Sequence, residues 1–312
     1  MTEKFVYGPV PSRRLGLSLG VDLVPYKVCS YDCIYCQLGR TKKKVIERKP
    51  YLPVEKILDQ VYQKLKEGVC ADYITVAGSG EPTLNSEIGS LIHDIKKHTK
   101  IPVAVLTNGS LLGDSRVRES IIEADVVLPS LDAHNQEGFE AINRPHPDIK
   151  FDAMVNGLMT FRNEYAGAIW LEVFILDGIN ATETDALQFK HWIDKIHPQK
   201  IQVNTAVRPS AETYARQVSA KKLARICEIL GDQAEVIAPF RNSEKHTGKA
   251  NIEEDLLTLL ARRPCTLDDI SSGLNVHKNE ILKYIEPLVE NHSINVMTRG
   301  SVVYYRRNSQ KR

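Results

Sequence analysis

The sequence predicts an α/β protein: a partial (β/α)6 TIM-like barrel followed by a small C-terminal winged helix-turn-helix domain. Two observations predict this architecture. Over residues 1–240, six short runs rich in Val, Ile and Leu alternate with amphipathic segments of helical length, which is typical of parallel strands joined by helical crossovers. After residue 240 three helical stripes precede a hairpin signal, the element order of a winged helix.

The six predicted strands are continuous apolar runs, as strands buried on both faces usually are. The intervals carry helical patterns, such as the apolar positions Ile57, Val61 and Leu65 within residues 54–66. Because polar residues follow the strands, we expect any site at the strands' C-terminal ends. The strands cover residues 17–24, 73–77, 103–107, 126–130, 169–175 and 201–205.

The last quarter of the chain has a different pattern. Residues 241–250 are polar and without apolar periodicity, which predicts a linker between a domain at 1–240 and a second domain at 251–312. In the second domain the four residues from Thr266 to Asp269 resemble a capping box at a helix start.

Further sequence signals predict where the helices of this second domain end and where a hairpin forms. We expect Gly273 to end the helix that starts after Thr266, and Pro287 to kink or shorten the next one. Strand-like runs on either side of Gly300 predict a β-hairpin.

Composition excludes several classes of protein. The chain has 312 residues, 42% hydrophobic and 26% charged, and a net charge of +2, which fits a globular protein and gives no global sign of a nucleic-acid or membrane-surface binder. The longest uncharged stretch, residues 101–113, is too short to span a bilayer. With no apolar signal segment at the N-terminus, we expect a cytoplasmic protein.

Three of the six cysteines form the pattern C-x-x-x-C-x-x-C at Cys29, Cys33 and Cys36. Three thiolates on one tight loop can bind three corners of an iron-sulfur cubane and leave one iron open, whereas a closed zinc site needs a fourth, distant ligand. Both interpretations stand on spacing alone. The scattered Cys70, Cys227 and Cys265 are interpreted as small buried hydrophobic residues.

The triad, with the aromatic Tyr35 just before its last cysteine, resembles the hallmark of the radical SAM superfamily. Further motifs occur in the expected order at strand ends. They are the glycine-rich loop Gly78-Ser79-Gly80-Glu81-Pro82, with Ser79 inserted between the glycines, then Thr107-Asn108-Gly109 and Ser130-Leu131-Asp132.

This resemblance implies a 4Fe-4S cluster on the three cysteines and S-adenosylmethionine on its open iron. It also implies cleavage of the sulfonium to a 5′-deoxyadenosyl radical that abstracts hydrogen from a substrate. A glycine-rich turn lets the backbone approach a ligand, and a carboxylate accepts from the methionine ammonium. The implied cofactor-binding residues are Tyr35, Gly78, Gly80, Glu81, Thr107, Asn108, Ser130 and Asp132.

A narrower resemblance covers residues 8–39, which are similar to the block carried by radical SAM proteins of tRNA wyosine synthesis. Those enzymes carry a second cluster on cysteines N-terminal to the main triad, and here no cysteine precedes Cys29.

Several polar residues are candidates for substrate contact. Glu172 lies in an apolar strand and would be costly there unless paired or facing a site, and Arg144 and His146 follow the fourth strand. We interpret these three as candidate catalytic residues. Arg13 and Arg14 could clamp a phosphate or carboxylate, and pairing with surface acids is the alternative.

The expected partners are a reductant protein such as flavodoxin or ferredoxin, and RNA or DNA. The segment 40–49 contains six bases and one acid, so Lys42, Lys43 and Lys44 could contact phosphates, although such runs are often simply solvated. The winged-helix domain could read nucleic acid or dock a protein. Its candidate contacts are Lys278, Lys283, Arg299, Arg306 and Arg307.

The sequence thus favours a radical SAM enzyme acting on a nucleotide, an RNA base or a small metabolite. Two alternatives remain: an activase of a glycyl-radical enzyme, and an iron-sulfur transcriptional regulator that senses redox state.

Overall fold

The computed structural model describes residues 3–237, 252–274 and 276–308. Up to residue 237 the elements are β1 (Val6–Ser12), β2 (Gly16–Asp22), β3 (Val28–Cys29), β4 (Lys43–Lys44), α1 (Val54–Lys66), β5 (Tyr73–Ala77), a 3-10 helix (Pro82–Leu84), α2 (Ile88–His98), β6 (Val103–Thr107), α3 (Ser115–Ile121), β7 (Val126–Pro129), α4 (Gln136–Ile142), α5 (Phe151–Glu164), β8 (Ala168–Ile175), α6 (Glu183–Ile196), β9 (Lys200–Thr205), α7 (Ala220–Leu230) and β10 (Ala234–Val236). The rest comprises α8 (Ile252–Arg262), α9 (Leu267–Leu274), α10 (Lys278–Glu290), β11 (Ile294–Arg299) and β12 (Val302–Arg307).

The core of the molecule is a mostly parallel sheet, so the chain has an α/β fold. In the described part of the chain the sheet has eight strands in the order β1-β2-β5-β6-β7-β8-β9-β10. Among the described strands of this sheet, only β1 runs antiparallel to its neighbour. Among these residues β1 and β10 do not pair with each other, so the sheet remains open.

The sequence did not predict two strands of this sheet. The edge strand β1 reads VYGPVPS, and its two prolines and glycine argue against a central strand, but an edge strand tolerates them. The other edge strand, β10, has only three residues. The six predicted strands correspond to β2, β5, β6, β7, β8 and β9.

The crossover helices cover the sheet with the apolar faces that the sequence predicted. In α1 the buried residues include Ile57 and Val61, at helical spacing, and both belong to the main core together with strand residues such as Leu19 and Val76. No helix in the described ranges is both long and apolar enough to cross a membrane.

The described residues 252–274 and 276–308 form three helices and an antiparallel hairpin. The capping box is present, since Thr266 N donates to Asp269 Oδ2 (3.1 Å) and Asp269 N donates to Thr266 Oγ1 (3.0 Å). Gly273 lies inside α9 rather than after it, and α10 continues past Pro287 to Glu290. The predicted linker at 241–250 lies outside the described residues.

This C-terminal unit packs against the sheet domain at two places. Val10 of β1 joins its apolar core, and the Tyr304 hydroxyl donates to the backbone oxygen of Val207, just after β9 (2.8 Å). The unit therefore contacts the edge strand β1 and the segment that follows β9.

The three scattered cysteines differ in burial. Cys265 is buried and Cys227 is partly buried, but Cys70 is exposed. The interpretation of Cys70 as a buried hydrophobic residue was wrong because it lies in the turn between α1 and β5, where its side chain is exposed.

Candidate functional site

The triad cysteines lie on a loop that starts at β3 and is fixed by the backbone on both sides. Ile34 N donates to Ile142 O (2.9 Å), and Val45 N donates to Cys29 O (3.0 Å). Within the loop Cys36 N donates to Cys33 O (3.1 Å). Since Ile34 is itself fully buried, the loop is anchored in the core while its cysteines remain partly accessible.

Each triad sulfur accepts a contact from a different side-chain nitrogen. Lys27 Nζ lies 3.1 Å from Cys36 Sγ. Asn108 Nδ2 lies 3.6 Å from Cys29 Sγ, and Asn143 Nδ2 lies 3.5 Å from Cys33 Sγ. Nitrogen donors facing sulfur stabilise its negative charge, as they do around cysteines that bind metal clusters.

The donor set fits a cluster better than a single ion. In the part of the chain that the structure describes, no three His, Cys, Asp or Glu side chains converge on one metal position, whereas cysteines that each bind a separate iron need not converge. Burial raises the pKa of the Cys29 thiol to about 12, with the charge of Glu81 adding to the effect. Burial also raises the pKa of Cys33 well above its usual value. These thiols therefore need a cation's charge to become thiolates.

Glu81 joins the glycine-rich loop to the loop after β6. It is buried, and its Oε1 accepts from Thr83 N (3.0 Å), Thr83 Oγ1 (2.6 Å) and Thr107 Oγ1 (2.7 Å). Its Oε2 accepts from Asn108 N (2.7 Å). Because a carboxylate oxygen has two lone pairs, Oε2 retains an acceptor position for a ligand ammonium.

Asn108 extends this connection to the cysteine loop. Its Nδ2 donates to Ser30 Oγ (2.8 Å), and Ser30 Oγ shares a hydrogen bond with Ser110 Oγ (2.7 Å). The predicted cofactor residues Glu81, Thr107 and Asn108 thus form one network with the loop that carries Cys29.

The two glycines at 78 and 80 are required by close packing. Gly78 has a φ of +112°, and a Cβ there would overlap the carboxylate of Asp22. A Cβ on Gly80 would overlap the carbonyl oxygen of Val28 in β3. These glycines let the loop pack closely against the end of β2 and against β3.

Tyr35 and Asp132 contact each other directly. The Tyr35 hydroxyl donates to Asp132 Oδ2, and the Tyr35 ring stacks on Phe174 with centroids 3.9 Å apart. Asn143 Nδ2 also donates to Asp132 Oδ2 (2.7 Å). Asp132 thereby supports the cysteine loop through two residues, and burial raises the pKa of its carboxyl to about 7.

Glu172 is the centre of a second polar group. Its Oε2 forms an ion pair with Arg14 Nη1 (2.7 Å) and accepts from Ser130 Oγ (3.4 Å), and its Oε1 accepts from Asn204 Nδ2 (2.8 Å). Residues two apart on a strand share a face, so Glu172 points to the same side of β8 as Phe174, the side that carries Tyr35.

Arg144 and His146 lie apart from Glu172. Arg144 donates to Glu212 Oε1 (2.9 Å) and to the Tyr214 hydroxyl (2.7 Å). Arg144 and His146 line an open cleft of about 280 Å³ together with Lys150. The three candidate catalytic residues therefore belong to two separate polar groups.

The basic segment after the cysteine loop is mostly solvated. Lys42, Lys43 and Lys44 are exposed. Lys42 lies over the Tyr26 ring, and Lys44 Nζ donates to the backbone oxygens of Arg144 (3.2 Å) and Pro145 (3.0 Å).

The sequence analysis missed several residues around the cysteines. Lys27 is buried, has a φ of +63° and lies two positions before Cys29, a proximity that could have drawn attention to it. Asp22 pairs with Arg262, which also donates to Ser79 Oγ (2.8 Å). No local signal connects Arg262 to a loop almost two hundred residues earlier.

The C-terminal hairpin also contacts the cysteine loop. Arg306 Nη2 donates to Leu38 O (2.8 Å). Arg299 donates to the backbone oxygens of Arg208 and Ala215. These two arginines were candidates for nucleic-acid contact, and the structure places both against the sheet domain.

Comparison with known proteins gives a consistent result. Residues 23–189 match the model of the radical SAM superfamily. A UPF0026 protein from Methanocaldococcus jannaschii is 33% identical over 98% of this chain and 97% of its own length. A crystal structure of a radical SAM methyltransferase from Sphaerobacter thermophilus is similar in fold, with a TM-score of 0.52 and 16% identity, covering 70% of this chain and 66% of that one.

One relative is much longer. A protein named GTPase Obg from Brachyspira hyodysenteriae is 36% identical over 98% of this chain, which spans only 45% of that protein.

Proposed function

Because the chain belongs to the radical SAM superfamily and to the UPF0026 family, we propose that it generates a 5′-deoxyadenosyl radical for hydrogen abstraction from a nucleotide or an RNA base. Proteins of this superfamily use a 4Fe-4S cluster and S-adenosylmethionine, and this chain uses the same two cofactors. Cys29, Cys33 and Cys36 would hold the cluster. When bound and reduced, it supplies the electron that cleaves the sulfonium of S-adenosylmethionine.

The observation that carries this proposal is the set of three nitrogen donors, one at each triad sulfur. Lys27, Asn108 and Asn143 come from three separate segments, yet each lies at a different thiol. Donors at the ligand sulfurs stabilise the negative charge of an electron-accepting cluster, most of all in its reduced state.

The protein's own groups orient the cofactor and substrate. Glu81 offers its remaining acceptor position to the methionine ammonium, and Gly78 and Gly80 allow the backbone close to it. Tyr35 of the cysteine loop stacks on Phe174, on the face of β8 that also carries Glu172.

Two features support a nucleotide or RNA substrate. The exposed lysines of residues 42–44 lie next to the cysteine loop, where they would attract phosphates. The resemblance of residues 8–39 to the wyosine-type block supports an RNA base among the candidates. A flavodoxin or ferredoxin is the proposed electron donor.

We assign residues 252–308 a winged-helix-like architecture, from the order of three helices and a hairpin. Its wing contacts the sheet domain through Arg299 and Arg306, which supports a role in completing the site rather than in reading DNA.

The test is anaerobic reconstitution followed by dithionite and S-adenosylmethionine, with quantification of 5′-deoxyadenosine. Cys33→Ala should lose the cluster absorption and at least about 99% of the product, since one iron loses its protein ligand. Cys70→Ala, at an exposed position, is the matched control and should behave like the wild type.

The outcomes separate the candidate functions. Product that rises with added small RNA supports an RNA substrate, and product that does not respond to RNA redirects the search to free nucleotides or metabolites. A fully loaded wild-type cluster that yields no 5′-deoxyadenosine contradicts the proposal and favours the redox-sensing regulator.

A further inference from the structure

Four arginines from distant parts of the sequence meet between the sheet and the C-terminal unit. Arg13 and Arg14 lie in the turn between β1 and β2, Arg208 follows β9, and Arg263 follows α8. Arg263 Nη2 donates to Pro11 O (3.1 Å), which places it beside the turn that carries Arg13. We refer to these four residues as the arginine group.

Their mutual proximity is also evident in their electrostatics. Burial lowers the pKa of Arg13 to about 10, and the positive charges of Arg208, Arg14 and Arg263 contribute in the same direction. Burial and the charge of Arg263 likewise lower the pKa of Arg208. Bringing four guanidinium groups together is unfavourable unless negative charge is supplied.

The acids that the described residues supply do not match this charge. Glu172 pairs with Arg14 (2.7 Å), and Asp269 pairs with Arg208 (3.2 Å). In the described ranges neither Arg13 nor Arg263 has a carboxylate within ion-pair distance. Two of the four positive charges therefore have no acidic partner there.

Arg208 provides a second, independent observation. Its side chain is only 7% exposed, and its Nε is buried without a hydrogen-bond partner among the residues described. Buried donors are nearly always satisfied in native proteins. An unsatisfied guanidinium nitrogen inside a cluster of like charge is a binding feature for an anion with several acceptor oxygens.

We propose that the arginine group binds a phosphate group of the substrate. Guanidinium forks match phosphate oxygens, and a phosphate supplies negative charge to the two arginines that have no acidic partner among the described residues. This proposal rests on the proposed function, and it identifies the substrate as a phosphate ester.

The position of the group explains why a phosphate there would serve catalysis. Arg14 is tied to Glu172, which shares a face of β8 with Phe174 and hence with the ring of Tyr35. A phosphate held by the arginine group would place the rest of the substrate on the side of the sheet that carries the cysteine loop.

The site is incomplete without the C-terminal unit. Arg263 and Asp269 both come from it, and the hairpin residue Arg299 donates to the backbone oxygen of Arg208. The unit thus contributes directly to substrate binding.

The experiment measures binding of inorganic phosphate to the reconstituted enzyme by anaerobic calorimetry. Arg13→Gln and Arg263→Gln should each weaken binding by roughly tenfold or more, about 1.4 kcal/mol. Arg225→Gln removes an exposed arginine of α7 that pairs with Glu183 and should bind phosphate as the wild type does. Because the two variants lie in different domains, the test still stands if one of them fails to fold.

Competition identifies the source of the phosphate. Displacement by guanosine 5′-monophosphate but not by a short RNA indicates a free phosphomonoester, and displacement by RNA indicates a backbone phosphodiester. Equal phosphate binding by the wild type and both glutamine variants, or no binding by the wild type, overturns the inference.

The two proposals can fail separately. A wild type that makes 5′-deoxyadenosine but binds no phosphate would refute only the phosphate site. A wild type that binds phosphate through Arg13 and Arg263 but makes no 5′-deoxyadenosine would refute only the radical chemistry.

Discussion

The ammonium group of Lys27 lies 3.1 Å from the sulfur of Cys36. Lys27 is 3% exposed and has a left-handed backbone conformation, so the fold keeps a buried charge at this sulfur at some conformational cost. A positive charge and an N–H donor next to a cluster ligand stabilise the reduced, more negative state.

Lys27→Met should therefore make the cluster harder to reduce. Loss of the charge at nearly constant side-chain volume should lower the reduction potential by on the order of 59 mV, a tenfold change in a one-electron equilibrium. An electron-paramagnetic-resonance redox titration of the reconstituted protein measures it. Lys43→Met removes an exposed charge on the neighbouring strand and should leave the potential unchanged; equal potentials in both variants would contradict the role of Lys27.

Gly80→Ala should damage the cysteine loop although it adds only one methyl group. The new Cβ would overlap the carbonyl oxygen of Val28, a backbone atom that cannot move without shifting β3. We expect a loss of about 1–3 kcal/mol in the free energy of unfolding and reduced iron incorporation. Urea unfolding and iron analysis test this.

Gly113→Ala is the matched control for that substitution. A Cβ at Gly113 would have its nearest neighbour at 3.9 Å, the backbone oxygen of Ala153, so iron incorporation should not change. If Gly80→Ala takes up iron as well as Gly113→Ala does, the close packing at Gly80 does not shape the loop.

The sequence predicted those parts of the molecule that depend on local pattern. The parallel strands are recognisable in the sequence as apolar runs. The hairpin is recognisable by its turn residues. The edge strand β1 was missed because its prolines oppose a strand locally, and only pairing with β2 shows that they are tolerated there.

The site likewise has residues that a local pattern predicts and residues that only the tertiary structure brings together. Cys29, Cys33 and Cys36 lie within eight residues, so their spacing alone suggested a shared ligand. The partners of these residues come from far along the chain: Asn143 reaches Cys33 across 110 positions, and Arg262 reaches Ser79 across 183. Such contacts depend on how the strands and the C-terminal unit pack, which no local pattern encodes.

Glu81→Gln should destabilise the connection between two strand-end loops. The carboxylate accepts four hydrogen bonds, and an amide would present N–H groups to at least one of those donors. The expected loss is about 1.5–3 kcal/mol in the free energy of unfolding, the range for a hydrogen bond to a charged group, with weaker S-adenosylmethionine binding. Glu119→Gln, at an exposed position of α3, should change neither quantity.

Asp132 should make the stability of the cluster-free protein depend on pH. Burial raises the pKa of its carboxyl to about 7, above the value of about 3.9 for an unfolded chain. The folded protein therefore holds a proton that the unfolded chain releases between these two values, so this group's contribution to stability is lost as the pH rises through 7. Relative to Asp132→Asn, which cannot titrate, the wild type should lose up to about 1.4 kcal/mol per pH unit between pH 5 and 7. Urea unfolding at both pH values measures the difference, and parallel profiles for the two proteins would show that Asp132 stays ionised in the folded state.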